Sequence, residues 1–129
     1  MIRLHITVEG RTVEAFVNRT LRPHLVNFGV YADVRCVMTG RKGGANFRGG
    51  MPGYAKVKND IVRWLKEDQN ANVVFSTMFD YYALPNDFPG YADADKLRDP
   101  YDKVVTMEKS LWQRPCGQTV HSIYPTSRV

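Results

Sequence analysis

The stretch IRLHITVEGRTVEAFV, residues 2–17, changes its hydrophobic spacing at Glu9-Gly10, and this change decides the fold. Before it, apolar residues alternate with others, as in a strand, at Ile2, Leu4, Ile6 and Val8. After it, they follow the spacing of one helix face, at Val13, Phe16, Val17, Leu21, Leu25 and Phe28. Thr12 is the expected N-cap of this helix, and Pro23 is expected to kink it. A strand followed at once by a helix is the repeating unit of α/β domains.

The strand–helix unit is repeated along the chain. Further strands are predicted over residues 30–38 and 72–79, further helices over 51–68 and from Asp99-Pro100 onward, and long loops over 39–53 and 80–98. This alternation predicts an α/β fold with a mostly parallel sheet in three layers, in which helices cover both faces.

Length and composition limit the class of protein. With 129 residues, 43% of them hydrophobic and 24% charged, the chain is expected to form one globular domain rather than remain disordered. We expect the α/β domain over residues 1–112 and an irregular tail or a short added strand over residues 113–129. The chain shows neither an apolar run of about 20 residues nor a signal-peptide pattern, which predicts a cytoplasmic protein with no membrane partner.

Several common sites are not indicated by the sequence. Cys36 and Cys116 are too few and too far apart for a disulfide framework or a zinc site. The three histidines are not at ligand spacing, so we expect satisfied core or surface side chains. The glycine-rich segment 39–53 matches neither the P-loop nor the dinucleotide-binding pattern.

Acidic side chains directly follow the first and third predicted strands, at Glu9 and Asp80. Because the carboxyl ends of parallel strands meet at one edge of a sheet, where ligands bind, we expect these two residues to lie close together. Glu14, one turn into the first helix, is a further candidate for the same crevice. The alternatives are an ordinary surface or helix-start charge for Glu9, and an Asx turn or cap for Asp80.

The two long predicted loops carry opposite charges. Arg41, Lys42 and Arg48 lie in the first loop without any acid, whereas residues 80–102 hold six of the thirteen acidic residues. This segregation suits a divalent cation held by carboxylates beside a phosphate that Arg and Lys neutralise. The alternative is that both runs are solvated surface charges. The net charge of +5 permits an anionic partner without requiring one.

Two segments carry a family resemblance. VEGRTVEAFV, residues 8–17, and MFDYYALPNDFPGY, residues 78–91, resemble the bacterial domain-of-unknown-function family 4276. The likeness extends to about residue 112, after which the chain looks truncated or divergent. That family is similar to the Toprim domains of topoisomerases, primases and nucleases, so the resemblance implies a Toprim-like fold. It also implies a DNA-associated role beside an ATPase partner in DNA processing or genome defence.

The resemblance implies specific residue roles. Glu9 corresponds to the Toprim general acid or base, and Asp80 to the first of two aspartates that bind magnesium. Tyr82 stands in the place of the second aspartate, which leaves Asp87 and Glu14 as the further metal ligands. The phosphate contacts in this scheme are Arg11, Arg41, Lys42 and Arg48.

Three functions are compatible with these patterns. The first is magnesium-dependent, nuclease-like hydrolysis of a phosphodiester in nucleic acid. Because the second aspartate is absent, the sequence leaves open whether the protein is an enzyme, and the alternative is a non-catalytic module that binds nucleic acid or a partner subunit. A third expectation is a homo-oligomer, since three strands form a thin sheet whose edge a second copy would cover.

Overall fold

The computed structural model describes residues 1–37, 40–42, 45–47 and 52–112. The strands are β1 (Ile2–Val8), β2 (Val30–Cys36), β3 (Gly40–Lys42), β4 (Ala45–Phe47) and β5 (Val73–Met78). The α-helices are α1 (Arg11–Phe16), α2 (Arg22–Val26), α3 (Tyr54–Glu67), α4 (Tyr91–Asp95) and α5 (Pro100–Trp112), with a π-helical turn at Val17–Leu21 and a 3-10 turn at Tyr81–Ala83. The tail predicted over residues 113–129 lies outside the described residues. Among the described helices, none is long and apolar enough to cross a membrane.

Strand β1 is the centre of a parallel sheet with the order β2-β1-β5. Ile6 of β1 pairs with Val34 of β2 on one side and with Ser76 of β5 on the other. Because β1 has neighbours on both edges and layers on both faces, it is buried continuously from Leu4 to Val8. The parallel pairing confirms the predicted α/β fold and is consistent with a Toprim-like architecture.

Helices cover both faces of this sheet, as predicted. On one face, the helical segment from α1 to α2 packs on the even-numbered residues of β1, in a core of Leu4, Ile6, Val8, Val17 and Ala32. On the other face, Trp64 of α3 stacks on the ring of His5, with the ring centroids 4.4 Å apart. Since neighbouring residues of a strand point to opposite faces, α3 forms the third layer.

The first helical segment differs from its prediction at the start and in the middle. It begins at Arg11 with an extended Gly10 as N-cap, so the predicted N-cap Thr12 is wrong. The interruption predicted at Pro23 takes the form of a π-helical turn, in which the Arg22 N–H donates to the carbonyl of Val17. The wider turn directly precedes the proline, whose ring would crowd a regular α-helical turn.

The predicted apolar face of this segment is only partly confirmed. Four of its residues contribute to the core, namely Val13, Val17, Leu21 and Leu25. Phe16 and Phe28 are 46% and 70% exposed, against the prediction. Phe16 is displaced from the buried face by its neighbour Val17, and Phe28 follows the end of α2, where helical spacing no longer applies.

The predicted loop 39–53 contains a short hairpin, so the loop prediction is wrong for this part of the segment. Strands β3 and β4 pair in antiparallel fashion, with Arg41 opposite Asn46. In the sequence, Gly43-Gly44 stands between the two strands, and such dipeptides favour two-residue hairpin connections. The signal was present, but the strands lack the alternating apolar residues by which strands are usually recognised.

The predicted loop 80–98 is partly helical and contributes to a second core. It contains the 3-10 turn and α4, and the core comprises Val37, Val57, Phe79, Phe88, Ala94 and Met107. Tyr81 and Tyr91 pack against this core, as predicted. The predicted start of α5 is confirmed, because Asp99 Oδ1 accepts a hydrogen bond from the backbone N–H of Tyr101 at 2.7 Å.

A cavity of about 50 Å³ lies between α5 and the 3-10 turn. Its walls are mainly apolar, yet the hydroxyl of Tyr81 and Oε1 of Glu108 are buried there without a hydrogen-bond partner in the described part of the chain. Burial raises the pKa of the Glu108 carboxyl, since the ionised form loses water and gains no partner in exchange. The fold therefore holds Glu108 more easily as the neutral acid.

The Glu108→Gln variant is expected to be more stable than the wild type at pH 7, by up to about 1 kcal/mol after allowance for solvent screening. Because the folded-state pKa of Glu108 is raised, wild-type stability is full below the ordinary value of 4.5 and declines as the pH rises from there through the raised folded-state pKa. Urea unfolding at pH 4 and pH 7 measures the difference, with Asp93→Asn on the surface of α4 as the control. An equal difference between wild type and Glu108→Gln at both pH values would contradict this expectation.

Candidate functional site

The structure brings together the two acidic residues that follow β1 and β5. These strands are adjacent and parallel, so Glu9 and Asp80 lie at the same edge of the sheet. Glu9 Oε2 accepts a hydrogen bond from the backbone N–H of Asp80 at 3.3 Å. The residues are 71 positions apart in the sequence, so this contact depends entirely on the pairing of β1 with β5.

The environment of Glu9 favours its protonated form. Partial burial raises the pKa of the Glu9 carboxyl, and the negative charge of Asp80 raises it further. The hydrogen bond from the Asp80 N–H acts in the opposite direction, and the net change of the Glu9 pKa is upward. A carboxyl with a raised pKa is better suited to exchange protons near neutral pH than an ordinary surface glutamate.

Asp80 also has the structural role that the sequence left as its alternative. Its Oδ1 accepts a hydrogen bond from the backbone N–H of Tyr82 at 3.0 Å and caps the 3-10 turn. The contact fixes the carboxylate in the exposed position at the end of β5. Capping and ligand binding are compatible, because the contact uses one of the two carboxylate oxygens.

The other two predicted metal ligands contact different parts of the protein. Glu14 Oε2 accepts a hydrogen bond from the thiol of Cys36 at 2.9 Å, on the β2 side of the sheet. Asp87 Oδ2 accepts one from the backbone N–H of Tyr54 at 3.0 Å and so holds the first turn of α3. Over residues 1–37, 40–42, 45–47 and 52–112, no group of three or more His, Cys, Asp or Glu side chains is arranged to hold a metal ion.

The predicted phosphate contacts are only partly located. Arg11 is exposed and is the first residue of α1, two positions after Glu9. Arg41 and Lys42 belong to β3, and their backbone positions alone are described. Arg48 lies outside the described residues.

The sequence did not indicate the exposed aromatic ring beside Asp80. Tyr82 was expected to pack against the domain, but it is 81% exposed. Its neighbour Tyr81 takes the buried direction and stacks on Tyr91, with the ring centroids 6.0 Å apart. The sequence holds a weak signal for this arrangement, because two adjacent residues in a 3-10 turn cannot both face one core.

Comparisons with known proteins give a single match. A family model described as "Domain of unknown function (DUF4276)" matches residues 8–124. No curated protein and no solved structure matches the chain.

Proposed function

Because the chain belongs to the family of the domain of unknown function DUF4276, we propose its function from the geometry of its own residues: it acts on a phosphodiester of nucleic acid with the help of magnesium. The Toprim likeness implied by the sequence supports the same proposal. The ATPase partner and the genome-defence setting implied by that likeness stay predictions.

The observation that carries the proposal is the contact between Glu9 and Asp80 at the carboxyl edge of two neighbouring parallel strands. In open α/β sheets this edge is where ligands bind. Two carboxylates brought together there, one of them with a raised pKa, form a pair whose members can take different roles.

The donor set fits magnesium. This ion prefers oxygen ligands and is commonly held by one or two carboxylates, with water and substrate phosphate filling the other positions. A pair of carboxylates is therefore sufficient, although the described residues offer no cluster of three. Magnesium bound to Asp80 would stabilise negative charge on the oxygens of the phosphodiester.

The protein's own residues supply the remaining steps of the proposed reaction. Glu9 accepts the proton of the attacking water and, after attack, gives a proton to the leaving oxygen. Arg11, at the start of α1, would contact the phosphate that lies over Glu9. Arg41 and Lys42 of the β3–β4 hairpin are the proposed contacts for the neighbouring phosphates of the strand.

Glu9→Gln and Asp80→Asn are each expected to lower the rate of magnesium-dependent DNA cleavage by at least about 100-fold, because each removes a charge that the reaction requires. Asparagine at position 80 keeps the cap of the 3-10 turn, so the fold should be preserved. Cleavage of end-labelled single- and double-stranded DNA in 5–10 mM magnesium, values on the order used for such enzymes, measures the effect. Asp93→Asn, which removes an acid of α4, is the matched control.

Two results would contradict the enzymatic proposal. One is wild-type protein that shows no cleavage and no saturable magnesium binding at millimolar metal. The other is cleavage that persists unchanged in Glu9→Gln, since a contaminating nuclease would then account for it.

A second candidate function is non-catalytic binding of nucleic acid, and the exposed ring of Tyr82 favours it. An aromatic ring that is 81% exposed can stack on an unpaired base, an interaction worth about 1–3 kcal/mol. On this proposal DNA affinity falls steeply with salt, decreases in Tyr82→Ala and is unchanged in Glu9→Ala. Equal affinity of Tyr82→Ala and wild type for single-stranded DNA would count against it.

A further inference from the structure

A second cleft, with a volume of about 550 Å³, lies between β2 and α3 on the face of the sheet opposite α1 and α2. Its walls include Arg3, His5, Asp33, Arg35, Trp64 and Asp68. Glu9 and Asp80 are not among its lining residues. The cleft is therefore distinct from the site at the carboxyl edge of the sheet.

The ring of His5 is fixed in this cleft through one of its nitrogens. Nε2 lies 2.8 Å from Asp68 Oδ2, and the His5 side chain is only 3% exposed. The hydrogen bond with His5 is the main cause that lowers the pKa of Asp68 to about 2, and Arg3, 2.7 Å from the same oxygen, contributes to this shift. Asp68 is thus ionised and can only accept, so Nε2 must carry the hydrogen.

The other nitrogen of His5 lacks a partner. Nδ1 is buried and has no hydrogen-bond partner among the residues that the structure describes. In the neutral ring it is an acceptor, because Nε2 holds the only ring hydrogen. The nearest charged atom is Asp33 Oδ2 at 3.8 Å, which is also an acceptor and lies beyond hydrogen-bond distance. Two acceptors therefore face one another across a short gap.

The arginines of the cleft are paired with other carboxylates. Arg35 lies 2.7 Å from Glu67 and also covers the ring of Trp64, with its guanidinium carbon 4.3 Å from the ring centroid. Arg22 lies 3.3 Å from Asp33 Oδ1, which leaves Oδ2 directed toward His5. These pairs make the cleft a poor site for an anion, whereas the facing acceptors need a positive centre between them.

We infer that His5 Nδ1 and Asp33 Oδ2 bind a transition-metal ion such as Zn²⁺, with water or a small ligand in the remaining positions. A neutral imidazole and a carboxylate are common ligands of this ion. Asp68 provides the second feature of such sites, a carboxylate that accepts the N–H on the far side of the ligating ring.

The spacing of the two atoms fits this inference. Two ligands at about 2.1 Å from a tetrahedral metal are separated by about 3.4 Å. The observed 3.8 Å differs from that value by a few tenths of an ångström. Asp33 can supply the adjustment, because its side chain is 56% exposed, whereas the buried His5 is held by Asp68.

Titration of the protein with zinc chloride tests the inference, followed by calorimetry and by the ¹⁵N spectrum of the histidine rings. The His5 Nδ1 resonance is expected to shift at saturation while Nε2 keeps its hydrogen. Asp33→Asn should weaken the zinc affinity at least about tenfold, since loss of an outer partner alone commonly costs 10–100-fold. Glu67→Gln, which changes an acid of the same cleft that is paired with Arg35, should bind as the wild type does.

Further variants keep the test independent of the site at Glu9. Glu9→Gln should retain zinc binding at His5, whatever its effect on magnesium or on DNA cleavage. Zinc should also raise the Tm of the wild type and not that of Asp33→Asn. No saturable binding up to about 1 mM zinc, a range far above ordinary zinc-site affinities, or equal binding by wild type and Asp33→Asn, would overturn the inference. The gap would then hold only a proton or a water molecule.

Discussion

Trp64→Ala is expected to lower the free energy of unfolding by about 3–5 kcal/mol, the usual cost of removing a buried tryptophan. The side chain is 4% exposed and contacts both the sheet and the cleft. One side stacks on His5, and the edge of the ring meets Phe75 at a centroid distance of 5.9 Å. Alanine would leave a cavity between α3 and the sheet and would remove the surface on which Arg35 lies.

Chemical denaturation of the wild type and of Trp64→Ala measures this loss. Trp64→Phe should retain part of the lost free energy, because a smaller ring still fills much of the space. Phe28→Ala is the control for an aromatic residue outside the core, since its side chain is 70% exposed, and its cost should stay within about 0.5 kcal/mol. Similar losses in Trp64→Ala and Phe28→Ala would show that α3 does not form the third layer described above.

Gly90→Ala is expected to destabilise the protein by about 2–5 kcal/mol, because two separate costs add at this position. The backbone at Gly90 has a φ of +83°, a conformation that disfavours alanine. In addition, a Cβ at Gly90 would lie 2.6 Å from Ser110 Cβ and nearer still to Ser110 Oγ. Ser110 is held by its hydrogen bond to the carbonyl of Thr106 at 2.9 Å. α4 and α5 would have to separate to admit the methyl group.

The chain offers a matched control for the two costs. Gly29 has a similar φ of +71°, but a Cβ there would meet no atom within 4 Å. Gly29→Ala should therefore cost only the backbone term, about 1–2 kcal/mol. The difference between the two variants in urea unfolding measures the clash with Ser110. Equal losses at Gly90 and Gly29 would mean that α4 and α5 adjust to the methyl group without measurable cost.

The fold could be predicted where a local pattern and the global arrangement agree. The alternation in β1 and the spacing of Val13, Val17, Leu21 and Leu25 indicate their burial directly, and both are confirmed. The hairpin β3–β4 was missed because its strands carry little apolar signal. The π-helical turn at Val17–Leu21 was missed for another reason: a proline can be accommodated by a kink, a break or a wider turn, and the surrounding packing selects among them.

The site could be predicted only at the level of topology. Parallel strands place Glu9 and Asp80 at one edge, and their contact follows from that arrangement. The directions of the other carboxylates depend on contacts between distant residues, as between Glu14 and Cys36 or between Asp87 and Tyr54. His5 shows the same limit, because Asp68, which fixes its ring, is 63 residues away and no spacing rule connects them.

The central position of β1 also has a consequence for the order of events during folding. Ile6 meets Val34 after a separation of 28 residues but meets Ser76 only after 70. Closing the longer loop costs about 0.8 kcal/mol more chain entropy, so the pairing of β1 with β2 is favoured as the earlier event. During synthesis, β5 also leaves the ribosome last of the three strands. The contact between Glu9 and Asp80 exists only after β5 has joined the sheet, so a partly synthesised or partly unfolded chain cannot carry out chemistry that needs both residues.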